Sequence, residues 1–219
     1  MMWDWAFAFE ILPTLAKAAL VTVQVTILGF LIALTLGLAL AACRIMLPWT
    51  RFPISLVVEL IRSTPLLIQI FLLYFVGPSF GLVLDAMTAG ILAVGLHYAA
   101  YCSEVYRAGF ESVPRGQWEA SVALNLGRWT TLRDIIIPQA IPPVVPALGN
   151  YLVALFKETP LLSAIAVMEL MQSAKIIGSQ TFRYNEPITL VGLFFLVFSL
   201  ASAWAIRRVE AGINRRYRR

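Results

Sequence analysis

Few side chains in this sequence have the chemistry to act, and most of them stand inside apolar runs. The single histidine, His97, precedes Glu104 by seven residues, so on a helix the two share a face and could form an acid–base pair. Glu59 and Arg62, three apart, also share a helix face. Lys157 and Glu158 sit side by side where an apolar run ends. An ionisable side chain in lipid is costly, so each of these residues is a candidate for a solute path. Each also has a structural explanation: His97 as a neutral imidazole bonded to a neighbouring helix, Glu59–Arg62 as a packing pair, Lys157–Glu158 as a helix end at the interface. Pro65, next to Thr64, frees the carbonyl near Ile61 and kinks its helix, because it has no N–H and its ring clashes with the preceding turn. One histidine cannot make a His-x-x-x-His metal site, and neither G-x-x-x-x-G-K-[ST] nor G-x-G-x-x-G is present. No metal site, no catalytic residue and no ATP site are expected on this chain. Cys43 and Cys102 form no C-x-x-C pair and are expected as small buried hydrophobes.

These residues are set in a chain of 219 residues, 60% hydrophobic and 13% charged, with a mean hydropathy of +0.81. Soluble domains carry about 45–50% apolar and about 25% charged residues. A soluble fold of this size cannot bury the surplus, so the solvent is lipid, and cytoplasmic enzymes, secreted domains and disordered linkers are excluded. The expected fold is all-α: a polytopic transmembrane helical bundle forming one domain over residues 1–219. Charge-poor runs mark five spans at about 18–43, 54–76, 86–106, 141–156 and 188–206. Leu161–Met171 is too short to cross and reads as a re-entrant or interfacial helix. Leu40-Ala41-Ala42-Cys43 looks like a lipoprotein processing site, but Met1-Met2-Trp3-Asp4-Trp5 has no basic n-region and the apolar run is too long. The first segment is therefore expected to be a retained span.

Lys and Arg concentrate on the cytoplasmic side of membrane proteins. The tail holds Arg207, Arg208, Arg215, Arg216, Arg218 and Arg219; the loop at 107–138 holds Arg107, Arg115, Arg128 and Arg133; the first loop holds Arg44 and Arg51. These three segments alternate correctly if all are cytoplasmic. The opposite side then carries Asp4, Glu10 and Asp85, with Lys157–Glu186 as the one exception, since it holds Lys157, Lys175 and Arg183. The expectation is an N-terminus outside and a C-terminus inside. The basic groups would meet anionic lipid headgroups, so the pI of about 9.5 calls for no nucleic acid.

The polar stretch 107–138 is the most informative part. Gln117–Leu126 has helix-forming content with small residues at Ala120 and Ser121, and Asn125 and Gly127 tolerate positive φ, so the helix can stop and turn there. A second short helix, about Trp129–Ile137, should end before Pro138. The small face, an exposed Trp118 and the sharp turn suit docking into a groove on another protein.

At this point the sequence resembles the permease subunits of bacterial ATP-binding-cassette importers, specifically the polar amino acid and opine group. Their loop motif E-A-A-x-x-x-G-x₉-I-x-L-P is matched without a gap by Glu119-Ala120-Ser121, Asn125, Ile135 and Ile137-Pro138, with Ser121, Asn125 and Ile137 as departures. Gly116-Gln117 is similar to the approach to that motif. Glu59-x-x-Arg62-Ser63-Thr64-Pro65-Leu66-Leu67, Ala100-Tyr101-x-x-Glu104-x-x-Arg107-x-Gly109 and Lys157-Glu158-Thr159-Pro160-Leu161 resemble three further segments, in order, from about Thr14 to Arg207.

The resemblance implies a type I importer permease fold in a bacterial inner membrane. It implies that Glu119 to Gly127 form a coupling helix seated in an ATPase subunit, with Gly116, Gln117, Ile135 and Pro138 around it. Two permease subunits, alike or different, would share one pathway, with two ATPase subunits binding ATP and Mg below and an extracytoplasmic solute-binding protein above. The implied solute is small and polar or zwitterionic: an amino acid, or a compatible solute such as ectoine or hydroxyectoine. A self-powered secondary transporter or channel is the rival class, but it would need inverted repeats or a charged relay, and neither is visible.

Overall fold

The computed structural model describes residues 3–217, and side chains as far as 213. All regular structure among these residues is helical. The first helix, α1 (Trp5–Met46), is far longer than the expected 18–43 span. Two features extend it. The Asp4 carboxylate accepts from the backbone N–H of Ala6 at 2.9 Å and of Phe7 at 3.3 Å, capping donors that have no intrahelical partner. The face formed by Ile11, Leu15 and Ala18 then docks on later helices, so the helix persists beyond the charge-free stretch.

The second expected span, 54–76, is not one helix. It is α2 (Arg51–Arg62) and α3 (Leu66–Phe71), with a π-helical turn at Leu72–Val76. The axis bends by 103° at the break between them. Pro65 sits at φ −61°, ψ 137°, an extended conformation that stops α2 and starts α3. Among the described residues four helices are long and apolar enough to cross a membrane, or five if the bent pair counts as one span.

The central layer is α1 against α4 (Ala86–Glu111). Small residues let the two backbones approach. A Cβ on Gly37 would lie 2.7 Å from the Cys102 Cβ, and one on Gly95 would lie 2.8 Å from Ile32. Around this pair the core gathers Leu66 and Ile70 of α3, and Val144, Leu148 and Leu155 of α7 (Ile137–Glu158), against Val94, Tyr98 and Cys102. Cys43 is half-buried and Cys102 fully buried, both as free thiols.

The expected short helix at 161–171 is two pieces. A 3₁₀ segment, Thr159–Ile165, ends at Ala166 in the left-handed region, and Glu169 then caps α8 (Leu170–Thr181). The Glu169 carboxylate, wholly buried, accepts from Met171 N–H at 2.9 Å and Gln172 N–H at 2.7 Å. In turn the Leu170 N–H donates to Thr22 Oγ1 on α1 at 3.2 Å. The last helix, α9 (Asn185–Tyr217), overruns the expected 188–206 in both directions. Arg218 and Arg219, counted in the basic tail, lie outside the described residues, as do Met1 and Met2.

Two outcomes follow from this packing. Gly37→Leu should drive α1 off α4 and lower stability by about 1–3 kcal/mol or more, the usual cost of overpacking; thermal unfolding in detergent reads it, and an unchanged midpoint would mean that the close approach is not required. Burial pushes the Glu169 carboxyl up to about 7. The folded chain then holds a proton that an unfolded one, at the ordinary 4.5, has released, so this contribution is present in acid and is lost as pH rises from about 4.5 through 7. Hydrogen exchange of α8 amides, corrected for intrinsic rates, should show less protection at pH 8 than at pH 5, and Glu169→Gln should flatten the difference.

Candidate functional site

Two groups of candidate residues emerge, at different places on the bundle. The first is the 107–138 loop. After α4 the chain turns at Ser112–Pro114 into α5 (Arg115–Ala123). This helix ends in a Schellman motif: Asn125, at φ 53°, donates its N–H to Val122 O at 2.9 Å, and Leu126 N–H reaches Ser121 O at 3.0 Å. Asn125 therefore makes the turn expected of it. Gly127 does not use positive φ; it lies at −63° and leads the next helix.

Ser121 is buried and bonds back to Gln117 O at 2.7 Å, so its small side chain seats α5 on the body. Trp118, expected to be exposed, is half-buried and packs against Val113, Ile136 and Ala140 together with Ile135. The exposed indole is instead that of Trp129. Gly116, Gln117, Glu119 and Ala120 are exposed, and so are Val122 and Leu124, giving α5 an outward face of mixed character. Gln117 Oε1 accepts a bond from Gln139 Nε2 at 3.3 Å.

No helix ends before Pro138, contrary to expectation. The short α6 (Arg128–Thr130) runs through a π-helical segment, Thr131–Ile136, directly into α7, and Pro138 lies in the first turn of α7. The wider π turn gives room for a ring that would clash with an α-helical carbonyl one turn back.

The second group surrounds the break between α2 and α3. Arg62 pairs with Glu59 at 3.6 Å, and its guanidinium lies 5.3 Å from the centre of the Tyr101 ring. Thr64 Oγ1 donates to Leu60 O at 3.0 Å. The carbonyl freed by the break is Ile61 O, as Pro65 implied, and Gln69 Nε2 donates to it at 2.7 Å and to Thr64 Oγ1 at 2.7 Å. With its amide nitrogen so committed, Gln69 presents Oε1 to His97 Nδ1 at 3.0 Å, which fixes the proton on Nδ1. His97 is thus bonded to a neighbouring element, the structural alternative, while remaining beside the break.

An aromatic cluster joins this corner to the end of α7. His97, Tyr98, Tyr101 and Tyr151 stack with centroids 5.1–6.1 Å apart. Tyr98 OH donates to Glu158 Oε2 at 2.8 Å. Arg62 and Glu158 therefore flank one set of rings, with opposite charges. Lys157 is exposed next to Glu158.

Glu104 belongs elsewhere. It bonds Arg44 at the end of α1 and Arg107 at 2.9 Å, so it clamps α1 to α4 and forms no pair with His97. Sequence reasoning gave no role to Gln69, Tyr98 or Tyr151, and counted Arg44 only among the loop cations that set the orientation. Tyr98 and Tyr101, three apart in an apolar run, were the available signal; Gln69 needed the location of the break.

Against known proteins, residues 29–215 match the family described as "Binding-protein-dependent transport system inner membrane component". A probable amino-acid ABC transporter permease protein, y4tG of Sinorhizobium fredii, is 43% identical, over 97% of this chain and 93% of its own length. The glutamine transport system permease protein GlnP of Escherichia coli is 33% identical, over 96% and 97%. Among solved structures, an amino acid ABC transporter crystallised with histidines superposes with a TM-score of 0.89 at 32% identity, covering 96% of this chain and 99% of the other. The MetNI methionine transporter, at 20% identity and a TM-score of 0.73, shares the fold.

Gln69→Leu should leave His97 Nδ1 without its partner and Ile61 O with only the longer bonds from Thr64 N–H at 3.4 Å and Thr64 Oγ1 at 3.2 Å, at a cost of about 1–3 kcal/mol for an imidazole N–H that stays dry. Thermal unfolding should show the loss, and Gln69→Glu should recover part of it through His97; equal stability of the leucine variant would mean that water replaces the amide. With a family match over most of its length and near-complete overlap with these relatives, the chain belongs to the inner-membrane components of binding-protein-dependent transport systems, and it is the permease subunit of an ABC importer rather than an enzyme.

Proposed function

We propose that α5 is the coupling helix through which partner ATPase subunits, binding ATP and Mg, drive an amino acid past this chain. The observation that carries this is the build of α5: Ser121 and Trp118 anchor it, a Schellman turn ends it, and Glu119, Val122 and Leu124 face outward. A mixed charged and apolar face on a short rigid helix suits a groove on another protein. The set Gly116, Gln117, Glu119, Ala120, Ser121, Asn125, Gly127, Ile135 and Pro138 then divides into the exposed residues that dock and the buried ones that hold the dock in shape.

The corner of Glu59, Arg62, Thr64 and Pro65 with His97 and Glu158 is the proposed pathway wall. Charged groups on a face otherwise rich in exposed Leu and Phe suit a water-filled passage shared with a second permease subunit better than hydrocarbon. A zwitterion matches a wall with Arg62 at one edge and Glu158 at the other, and the relatives' names point to amino acids. Ectoine-type solutes have the same separated charges and belong in the test as competitors.

The proposed orientation in the inner membrane has the N-terminus outside, facing an extracytoplasmic solute-binding protein, and α5 inside. The exception to the charge rule is softened here. Arg183 is paired with Asp4 at 3.1 Å and Glu186 at 2.5 Å, and Lys175 bonds Ser163 Oγ at 3.2 Å.

Glu119→Lys should insert and fold normally, yet lose the ATPase on co-purification or hydrolyse ATP without uptake, because breaking a charged interface contact costs about 2–5 kcal/mol. Arg133→Gln, on an exposed side chain paired only with its neighbour Asp134, should do much less. Normal assembly and uptake in Glu119→Lys would rule out α5 as the coupling element. Solute flux through proteoliposomes containing this chain alone would favour the self-powered rival. Reporter fusions at Asp85 and Gly116 should land on opposite sides.

A further inference from the structure

We propose that the cleft between the α1–α2 corner and the root of α5 binds the phosphate headgroup of an anionic phospholipid. Two adjoining cavities, of about 280 and 510 Å³, share Arg51 and Glu111. Arg44 and Arg107 line the first, and Arg115 lines the second. Four arginines from four different helices thus line two cavities that share a wall at Arg51 and Glu111.

The local carboxylates satisfy only two of them. Glu104 binds Arg44 and Arg107, and Glu111 binds Arg107 at 2.6 Å. Among the described residues Arg51 and Arg115 have no carboxylate partner. Arg51 is also aimed: its Nε donates to Arg44 O at 3.1 Å, at the carbonyl end of α1, which leaves the two terminal nitrogens for a ligand. A guanidinium fork held this way matches two oxygens of a phosphate.

The fringe of the cleft argues for a lipid over an acidic protein surface. Trp49 and Phe52, on the corner itself, are 76% and 79% exposed. Aromatic side chains of this kind settle at headgroup depth. Arg44 follows the charge-free run of α1 directly, so the cations sit where hydrocarbon gives way to headgroups. Basic pockets between spanning helices at this level are suited to anionic lipid. A lipid bound here would bridge Arg51 on the corner to Arg115 at the first turn of α5. It would brace the base of that helix without any contact to its outward face.

The test uses the full chain, purified in detergent and offered phosphatidylglycerol, phosphatidylcholine or inorganic phosphate, with retained lipid counted by native mass spectrometry. Phosphatidylglycerol should be retained at least tenfold better than phosphatidylcholine, and the preference should weaken in high salt. The double variant R51Q/R115Q should lose most of it, while R133Q, which removes the same kind of charge from an exposed site, should keep it. Millimolar inorganic phosphate should leave the lipid in place; displacement would assign the site to free phosphate instead. Equal retention of both lipids, or equal loss in R133Q, would overturn the proposal. So would unchanged lipid retention in R51Q/R115Q; loss of a co-purified ATPase by that variant would then make the cleft a seat for an acidic protein surface. The lipid counts depend on neither solute nor uptake, so the result stands apart from the importer reading.

Discussion

A peptide carbonyl or N–H left bare in hydrocarbon costs several kcal/mol, and each break in the helices of this chain is arranged around that fact. At the sharpest break, Gln69 reaches back across Pro65 to Ile61 O and is itself held by His97. At the start of α8, Glu169 takes two N–H groups and Thr22 a third. Asp4 and Asp85 cap α1 and α4 in the same manner. Polar side chains inside the bundle are thus explained first by the backbone they satisfy. His97 stands at the proposed pathway corner because the corner contains a break, and a break needs a tethered amide.

The charged residues sort by depth under the same constraint. At one end Arg183 is neutralised by Asp4 and Glu186 and lies 4.3 Å from the centre of the Phe7 ring. At the other, Glu104 draws Arg44 and Arg107 together. Between these ends, Arg62 and Glu158 rest on tyrosines, with Arg62 over a ring face and Glu158 accepting a hydrogen bond from the Tyr98 hydroxyl. Arg62 keeps its 3.6 Å pair with the exposed Glu59 as well, and the ring quadrupole adds to what holds the guanidinium in place. The charges paired at the ends tie helices together.

Much of this was legible in the sequence because it rests on local rules. Charge-poor runs marked the long apolar helices, Pro65 marked the break, and Asn125 marked a left-handed turn. What was not legible depends on contacts between elements. The length of α1 depends on the docking of Ile11 and Leu15 on α8 and α9 as well as on the Asp4 cap, and that docking is not visible in the first twenty residues. Glu104 was placed with His97 by helical spacing, whereas the partner that decides its role, Arg44, is sixty residues away. Pro138 was read as a stop because a proline ring clashes with an α-helical carbonyl; the π turn that relieves the clash is visible only in three dimensions.

That π turn also shapes how force would travel. From Arg128 to Ile165 the chain is one continuous helix of 38 residues, from the turn after α5 to the segment beyond Glu158. Its first half holds Pro138, Pro142, Pro143 and Pro146 as well as the π turn, and each proline removes a backbone hydrogen bond. Its second half, packed by Leu148, Leu155 and Phe156, has no proline before Pro160. The rod is therefore compliant near α5 and stiff where Tyr151 and Glu158 meet the aromatic cluster. A displacement of α5 would bend the proline-rich half, and the stiff half would carry what remains to Glu158 as a tilt. The bond from Tyr98 would then be the first contact at the proposed pathway wall to feel it.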